Sequence, residues 1–337
     1  MSDVKQQLAW QQSIWHPSIW RELTALAKHN QLHHAFIFTG PRGIGKYQLA
    51  SAYASYLLCD AQSSVQQACG VCKSCRLIQA NNHPDLYDIQ PEEKSKIIKI
   101  DQVRQLITEL GKTASLSGRR IVIINPAEAM NEAAANALLK NLEEPGANTH
   151  FFLIAESVDL LPPTIRSRCQ VLRLAAPNQQ QATSWLQDQL VAQEISLSTN
   201  DLNELLRLAG GAPLLVVELI QQYTLPILLA QIKMLSEDLL ALQQRTLHPL
   251  VCAARWQKSP VPFPLLLVWW IYGLQGQLVE AVGRNELRPY KTEKQMAFLD
   301  HLLEVRGQLQ KHTTLNEALL LEDLLIRWYD LSQTTNG

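Results

Sequence analysis

The stretch GPRGIGK, which starts at Gly40, has most of the residue types that bind a nucleoside triphosphate. Phosphate-binding loops follow the pattern G-x-x-x-x-G-K-[ST], in which backbone amides surround the phosphates, the lysine contacts them and the hydroxyl binds magnesium. Gly40, Gly45 and Lys46 fit this pattern and Gly43 adds a third glycine, but Tyr47 stands at the hydroxyl position. The sequence therefore predicts a phosphate-loop scaffold that lacks one magnesium ligand.

ATP hydrolysis needs further acidic groups at the end of a later strand, one to bind magnesium and one to activate water. The corresponding run, RIVIIN, ends in Asn125 and is followed by Pro126, which do not replace these acids. Glu128 lies two residues further on, and we place it in the following turn. We therefore expect no ATP hydrolysis by this chain, whereas nucleotide binding without turnover stays open.

A second cluster with chemical potential contains four cysteines in the pattern C-x9-C-x2-C-x2-C: Cys59, Cys69, Cys72 and Cys75. In a cytosolic chain such clustering indicates a metal rather than disulfides. Four thiolates suit tetrahedral zinc, and a fully protein-filled coordination sphere is typical of a structural zinc. An iron–sulfur cluster also accepts four cysteines, but no redox or flavin motif accompanies these, so zinc is favoured. Cys169 and Cys252 are isolated, and we expect them to be small buried hydrophobes.

The stretch TIRSRCQ carries the third candidate, Arg168, just before the last predicted strand. A single arginine ordinarily forms one arm of a surface salt bridge. This chain has no competent phosphate site that Arg168 could serve. We therefore interpret Arg168 as an arginine finger, a fixed charge presented to a phosphate bound elsewhere.

The elements that must position these residues alternate between strands and helices, which predicts an α/β layer with a parallel sheet. The predicted strands are AFIFT (35–39), LYDI (86–89), IVIIN (121–125), FFLIA (151–155) and QVLRL (170–174). Two helices are clear between them: IDQVRQLITEL, which Asp101 can cap, and NEAAANALLKNLEEPG, which starts at Asn131 and is stopped by Pro145. After about residue 175 the strand signals disappear, and from about 218 the chain reads as helices only. The predicted fold class is therefore α/β followed by all-α.

The composition limits the partners of the chain. Among 337 residues, 30 Lys and Arg balance 31 Asp and Glu, so no basic excess indicates nucleic-acid binding. The start, MSDVKQQLAWQQSIW, lacks the order of a secretory signal, and we expect a cytoplasmic protein. The apolar run PFPLLLVWWIYGL is shorter than a membrane span, so it predicts a buried helix. Adjacent Trp269 and Trp270 cannot both face one core; burial of the two rings on two faces of the helix is favoured, and a protein contact by one of them is the alternative.

Taken together, these motifs make the sequence similar to the AAA+ clamp-loader family, and within it to the delta-prime subunits of bacterial DNA polymerase III. The shared signatures, in the family's order over residues 33–169, are HHAFIFTGPRGIGK, the four-cysteine insertion, HPDLY, IDQVRQL, NALLKNLEEP and IRSRC. They cover about 40% of the chain. The helical remainder matches in length and class but offers few motifs.

The resemblance implies an architecture and a role for each part. Residues 1–174 would form a RecA-like α/β domain with a zinc-binding insertion at 59–75, residues 175–217 a three-helix lid, and residues 218–337 a helical collar that packs five subunits into a ring. Arg168 would act in trans on the ATP site of a neighbouring motor subunit. Two further nucleotide-sensing positions of the motor subunits are replaced here, one by Ala155 and Glu156 and the other by Leu214.

The expected function is that of a non-catalytic stator in the clamp loader of a DNA-directed DNA polymerase holoenzyme. Its partners would be the gamma/tau motor subunits and the clamp-opening delta subunit, and it would reach the sliding clamp and primed DNA through the complex, with no membrane. One alternative is an enzyme, either the active P-loop ATPase of the loader or a P-loop nucleotide kinase. Another is a zinc-bearing nucleic-acid-binding protein, for which salt-dependent DNA binding would be the sign.

Overall fold

The computed structural model describes residues 15–61, 67–92, 95–112, 114–116, 118–283, 289–311 and 315–331. The chain divides into two compact units, residues 1–177 and 178–337. The first is α/β and the described part of the second is helical, so the predicted fold class is confirmed. The division into three domains stays a prediction. Residues 1–14, on which most of the cytoplasmic prediction rests, and residues 62–66 of the cysteine insertion lie outside the described residues.

The first unit is built on a five-stranded sheet in which every pair is parallel, in the order β2-β3-β4-β1-β5. The strands are β1 (Ala35–Thr39), β2 (Leu86–Ile89), β3 (Arg120–Ile124), β4 (Thr149–Ala155) and β5 (Gln170–Arg173). All five predicted strands are present, within two residues of their predicted bounds. Strand β1, which lies between β4 and β5, is buried along its whole length, as its uninterrupted apolar run predicts for a parallel sheet covered on both faces.

Six helices accompany this sheet: α1 (Pro17–Lys28), α2 (Lys46–Leu58), α3 (Lys73–Gln79), α4 (Ile100–Leu110), α5 (Glu132–Glu143) and α6 (Pro163–Arg166). Helix α5 has the predicted bounds, because the Asn131 side chain accepts the N–H of Ala134 at 2.8 Å and Pro145 follows its end. The prediction that Asp101 caps α4 is wrong. Lys99 is the N-cap residue, and its N–H is accepted by the Gln102 side chain at 3.0 Å.

The second unit contains eight described helices: α7 (Gln179–Val191), α8 (Thr199–Leu208), α9 (Pro213–Tyr223), α10 (Leu225–Gln243), α11 (Pro249–Trp256), α12 (Phe263–Gly283), α13 (Pro289–Lys311) and α14 (Glu317–Leu331). Its core is aromatic. The Trp270 ring lies 5.7 Å from Trp256 and 5.6 Å from Trp328, measured between centroids.

Helix α12 is longer than the apolar run that predicted it. In the described part of the chain it is the one helix long and apolar enough to cross a membrane, and α9 with α10, bent by 107°, meets the same criterion as a pair. Trp269 and Trp270 of α12 are each only 1% exposed. The predicted burial of both rings is confirmed, and it is typical of a helix in a protein core.

Candidate functional site

The phosphate loop joins the end of β1 to the start of α2, which is the expected strand, loop and helix context. Gly40, Gly43 and Gly45 have φ angles of 149°, 77° and 88°. A Cβ atom at Gly40 would lie 2.3 Å from the carbonyl oxygen of Leu174. Only glycine therefore fits at position 40, because the chain that leaves β5 passes directly beside the loop.

The side chain of Lys46 is turned onto its own loop. Its Nζ donates to the carbonyl oxygens of Gly40 at 2.6 Å and Pro41 at 2.7 Å. Burial lowers the pKa of Lys46 to about 8, although the carboxylates of Glu156 and Glu128 act in the opposite direction. The lysine that would contact a phosphate in an active loop is thus engaged by carbonyl groups of the same loop.

Tyr47, at the position of the magnesium-binding hydroxyl, bonds to a residue of another strand. Its hydroxyl donates to Oδ2 of Asp88 on β2 at 2.6 Å. Burial, reinforced by the negative charge of Asp88, raises the pKa of Tyr47 above its ordinary value. The phenol is therefore a neutral donor committed to Asp88. The sequence analysis missed Asp88, whose only signal was one acidic residue inside the apolar run LYDI.

Glu128 lies in a short 3-10 turn, Ala127–Ala129, after β3, so its predicted place in the turn is confirmed. The structure adds that its carboxylate reaches the end of β4, where Oε1 accepts the N–H of Glu156 at 2.9 Å. Burial raises the pKa of Glu128. This acid therefore braces two strand ends beside Lys46, while Asn125 occupies the position directly after β3.

The segment before α1 also contacts the loop. Trp15 donates from Nε1 to the carbonyl oxygen of Ile44 at 2.7 Å, and His16 Nε2 lies 3.0 Å from the same oxygen. The Ile44 side chain is fully buried. Nothing in the pattern of residues 15–16 indicated this contact, which ties the loop to a segment thirty residues earlier.

The four cysteines of the insertion converge, and their sulfur atoms all lie within 4.8 Å of one another. Sγ of Cys59 lies 3.9 Å from Sγ of Cys72, and Sγ of Cys69 lies 4.0 Å from Sγ of Cys75. A zinc–sulfur bond of about 2.3 Å gives a tetrahedron with edges of roughly 3.8 Å. The described sulfur positions therefore lie close to the tetrahedron that one metal ion requires.

The protonation chemistry of the cluster also suits a metal ion. Backbone N–H groups of Val71 and Cys72 lower the pKa of Cys69 to about 6, whereas burial raises the pKa of Cys59 and of Cys75. Buried sulfurs of this kind become thiolates when a metal cation displaces their protons. The cluster can hold a metal ion, as predicted. The two isolated cysteines differ, since Cys252 is fully buried and Cys169 is partly exposed.

Arg168 lies between α6 and β5, away from both the phosphate loop and the cysteine cluster. Its Nε donates to Glu143 Oε1 at 2.8 Å, its Nη2 contacts the same oxygen, and its Nη1 donates to the carbonyl oxygen of Thr164 at 2.7 Å. The side chain is 31% exposed and lines an open surface pocket of about 350 Å³ together with His33 and His34.

The arginine and the phosphate loop lie at opposite edges of the sheet. His33 and His34 precede β1 and Cys169 precedes β5, so the Arg168 pocket is at the amino-terminal edge, whereas Gly40 follows the carboxyl end of β1. The five residues of β1 span about 17 Å at roughly 3.3 Å per residue. The structure thus does not bring Arg168 together with Lys46. Leu214, at a predicted sensing position, lies in the first turn of α9 in the second unit.

Comparison with known proteins gives consistent matches. Residues 15–178 match the family described as "DNA polymerase III, delta subunit". The chain is 37% identical to "DNA polymerase III subunit delta'" of Pseudomonas aeruginosa over 96% of this chain and 97% of that protein. It is 32% identical to the Escherichia coli protein of the same name, over 91% and 92% of the two chains.

A relative of another kind matches only part of the chain. "DNA polymerase III subunit tau/gamma" of Haemophilus influenzae is 32% identical over 56% of this chain and 28% of that protein. The two delta-prime proteins, in contrast, match nearly end to end, and the fold, the altered loop and the cysteine cluster agree with the resemblance seen in the motifs. The chain therefore belongs to the delta-prime subunit family of DNA polymerase III.

Proposed function

We propose that this chain is a stator subunit of a clamp loader, which hydrolyses no ATP itself and supplies Arg168 to the ATP site of a neighbouring motor subunit. The observation that carries this proposal is the separation of Arg168 from the phosphate loop by the length of β1, about 17 Å. A guanidinium at the amino-terminal edge of the sheet does not reach a phosphate at the carboxyl edge of the same sheet. Its side chain is 31% exposed, so a second subunit can approach it.

The contacts of the loop support the absence of turnover. Lys46 is held by loop carbonyls, and the Tyr47 hydroxyl is committed to Asp88, so neither the phosphate-binding cation nor a magnesium-binding hydroxyl is available. Asn125 stands where an acid would bind magnesium. In trans, the Arg168 guanidinium would stabilise the negative charge that develops on the transferred phosphoryl group, as preorganised cations do in other phosphoryl-transfer sites.

Membership of the delta-prime family supports a proposal for the wider setting. The chain would join gamma/tau motor subunits and a delta subunit in a five-subunit ring, and would act on the sliding clamp and primed DNA through that ring in the cytoplasm. Residues 175–217 would form its lid and residues 218–337 its collar. The metal of the cysteine cluster would be a structural zinc, because four protein sulfurs leave no open coordination position.

Reconstitution with motor and delta subunits tests the finger. Arg168→Ala should slow the one site it serves by about 10³ to 10⁵-fold, seen as the loss of one hydrolysing site per assembly in a pre-steady-state ATP measurement on primed DNA. Arg166→Ala is the matched control, since Arg166 is 34% exposed and pairs with exposed Asp159. The assembly must still form with both variants, as judged by gel filtration. An unchanged number of hydrolysing sites with Arg168→Ala would overturn the proposal.

A further inference from the structure

The guanidinium of Arg168 is already occupied within its own chain. It makes four hydrogen bonds: Nε and Nη2 to Glu143 Oε1, and Nη1 to the Thr164 carbonyl oxygen at 2.7 Å and to Ser167 Oγ at 3.2 Å. A guanidinium has five N–H groups. When each bond uses its own hydrogen, at most one N–H group is left for another acceptor.

A phosphoryl group bound by arginine ordinarily takes two parallel N–H groups on one edge of the guanidinium. The edge formed by Nε and Nη2 is taken by Glu143, and Nη1 on the other edge is taken by Thr164 and Ser167. The carboxylate also cancels much of the positive charge that a distant phosphate would experience. The described pose is therefore one in which Arg168 is withheld from an external phosphate.

Glu143 is the last residue of α5, where the helix carries its partial negative charge. A carboxylate at this end is disfavoured by the helix itself, so the stability of α5 does not account for a glutamate here. The Arg168 guanidinium compensates both the carboxylate and the helix end. Another acceptor can also displace Glu143 from Arg168. The Arg168 and Glu143 side chains are 31% and 49% exposed, and ion pairs at such exposed sites are weak.

We propose that Glu143 is a latch for Arg168: it holds the finger in the free subunit and releases it when the triphosphate of a neighbouring subunit competes for the same N–H groups. This inference rests on the proposed function, in which Arg168 acts in trans. Glu143 does not touch the nucleotide in this scheme. It acts through the position of Arg168.

The test is Glu143→Gln in the reconstituted assembly, with turnover of ATP measured without DNA at saturating ATP. Removing the charge should raise this rate by about two- to fivefold, the factor that corresponds to the strength of an exposed ion pair. Glu144→Gln is the matched control, because it removes the same charge from the adjacent exposed glutamate. Glu143→Asp, which keeps the charge on a shorter side chain, should leave the rate closer to that of the unaltered chain.

The double variant Glu143→Gln with Arg168→Ala separates the latch from a general effect of charge or folding, because the gain must vanish when Arg168 is absent. A gain that persists without Arg168, an unchanged rate, or a lower rate with Glu143→Gln would each overturn the latch. If Arg168→Ala lowers turnover and Glu143→Gln does not raise it, the finger stands and the latch alone fails. If Arg168→Ala has no effect, the finger fails and the latch with it.

Discussion

Replacing Cys72 and Cys75 together with serine should release one zinc ion per chain. The four sulfurs are spaced at 3.9 and 4.0 Å across the two measured pairs, close to the roughly 3.8 Å edge of a zinc–thiolate tetrahedron. Structural zinc binds with an apparent free energy of about 10–16 kcal/mol, which is roughly 2.5–4 kcal/mol per ligand if four thiolates share it equally. Loss of two ligands should therefore weaken binding by about 10⁴ to 10⁶-fold, at 1.4 kcal/mol for each factor of ten.

The measurement is metal content per chain after purification with a competing chelator, by elemental mass spectrometry. Cys252→Ser is the matched control, because Cys252 is as fully buried as Cys75 but lies outside the cluster. It should keep its zinc. Full metal retention in the Cys72 and Cys75 double variant would refute the ligand assignment, and retention of iron with a visible absorption band would favour an iron–sulfur cluster over zinc.

Two further variants test the loop. Gly40→Ala should destabilise the chain by about 1–3 kcal/mol, because its Cβ would lie 2.3 Å from the Leu174 carbonyl oxygen. Gly307→Ala should not, because beyond the backbone of its own helix no atom lies within 4 Å of the added Cβ. Urea unfolding measures both variants, and equal stabilities would contradict the close approach at Gly40. Burial lowers the pKa of Lys46 from its ordinary 10.5 to about 8 in the folded chain. Between these pH values the unfolded chain binds more protons than the folded chain, so the free energy of unfolding rises with pH by up to about 1.4 kcal/mol per pH unit. Between pH 8 and 10 the free energy of unfolding should therefore rise more for the unaltered chain than for Lys46→Met. Exposed Lys233→Met is the control, since it should follow the unaltered chain. A constant difference between the unaltered chain and Lys46→Met would contradict the burial argument.

Much of the fold could be predicted because local and long-range signals agree. The uninterrupted apolar runs of β1 and β3 are the pattern of strands buried on both faces, and Asn131 with Pro145 set the ends of α5. The wrong cap at Asp101 shows the limit of such reasoning. Asp101 is a good capping residue by type, but it lies within the first turn of the helix. The N-cap is Lys99, whose backbone N–H donates to the side chain of Gln102.

The candidate site was predictable where spacing alone defines the chemistry. Four cysteines within seventeen residues can meet only locally, so their convergence followed from the sequence. The hydrogen-bond partners of three other site residues could not be predicted from the sequence, because each partner belongs to an element far away in the chain. These pairs are Tyr47 with Asp88, Glu128 with Glu156, and Arg168 with Glu143. Such pairs depend on the order of strands in the sheet, which no single segment encodes. Nor does any local pattern show that Arg168 and the phosphate loop lie at opposite edges.

ATP hydrolysis by the purified chain alone, with magnesium, tests most directly whether this subunit lacks a turnover of its own. We expect phosphate release no faster than that of the Lys46→Met variant, because Lys46 and Tyr47 are engaged within the chain and no acid follows β3 at Asn125. Magnesium-dependent turnover that Lys46→Met abolishes would contradict the stator role.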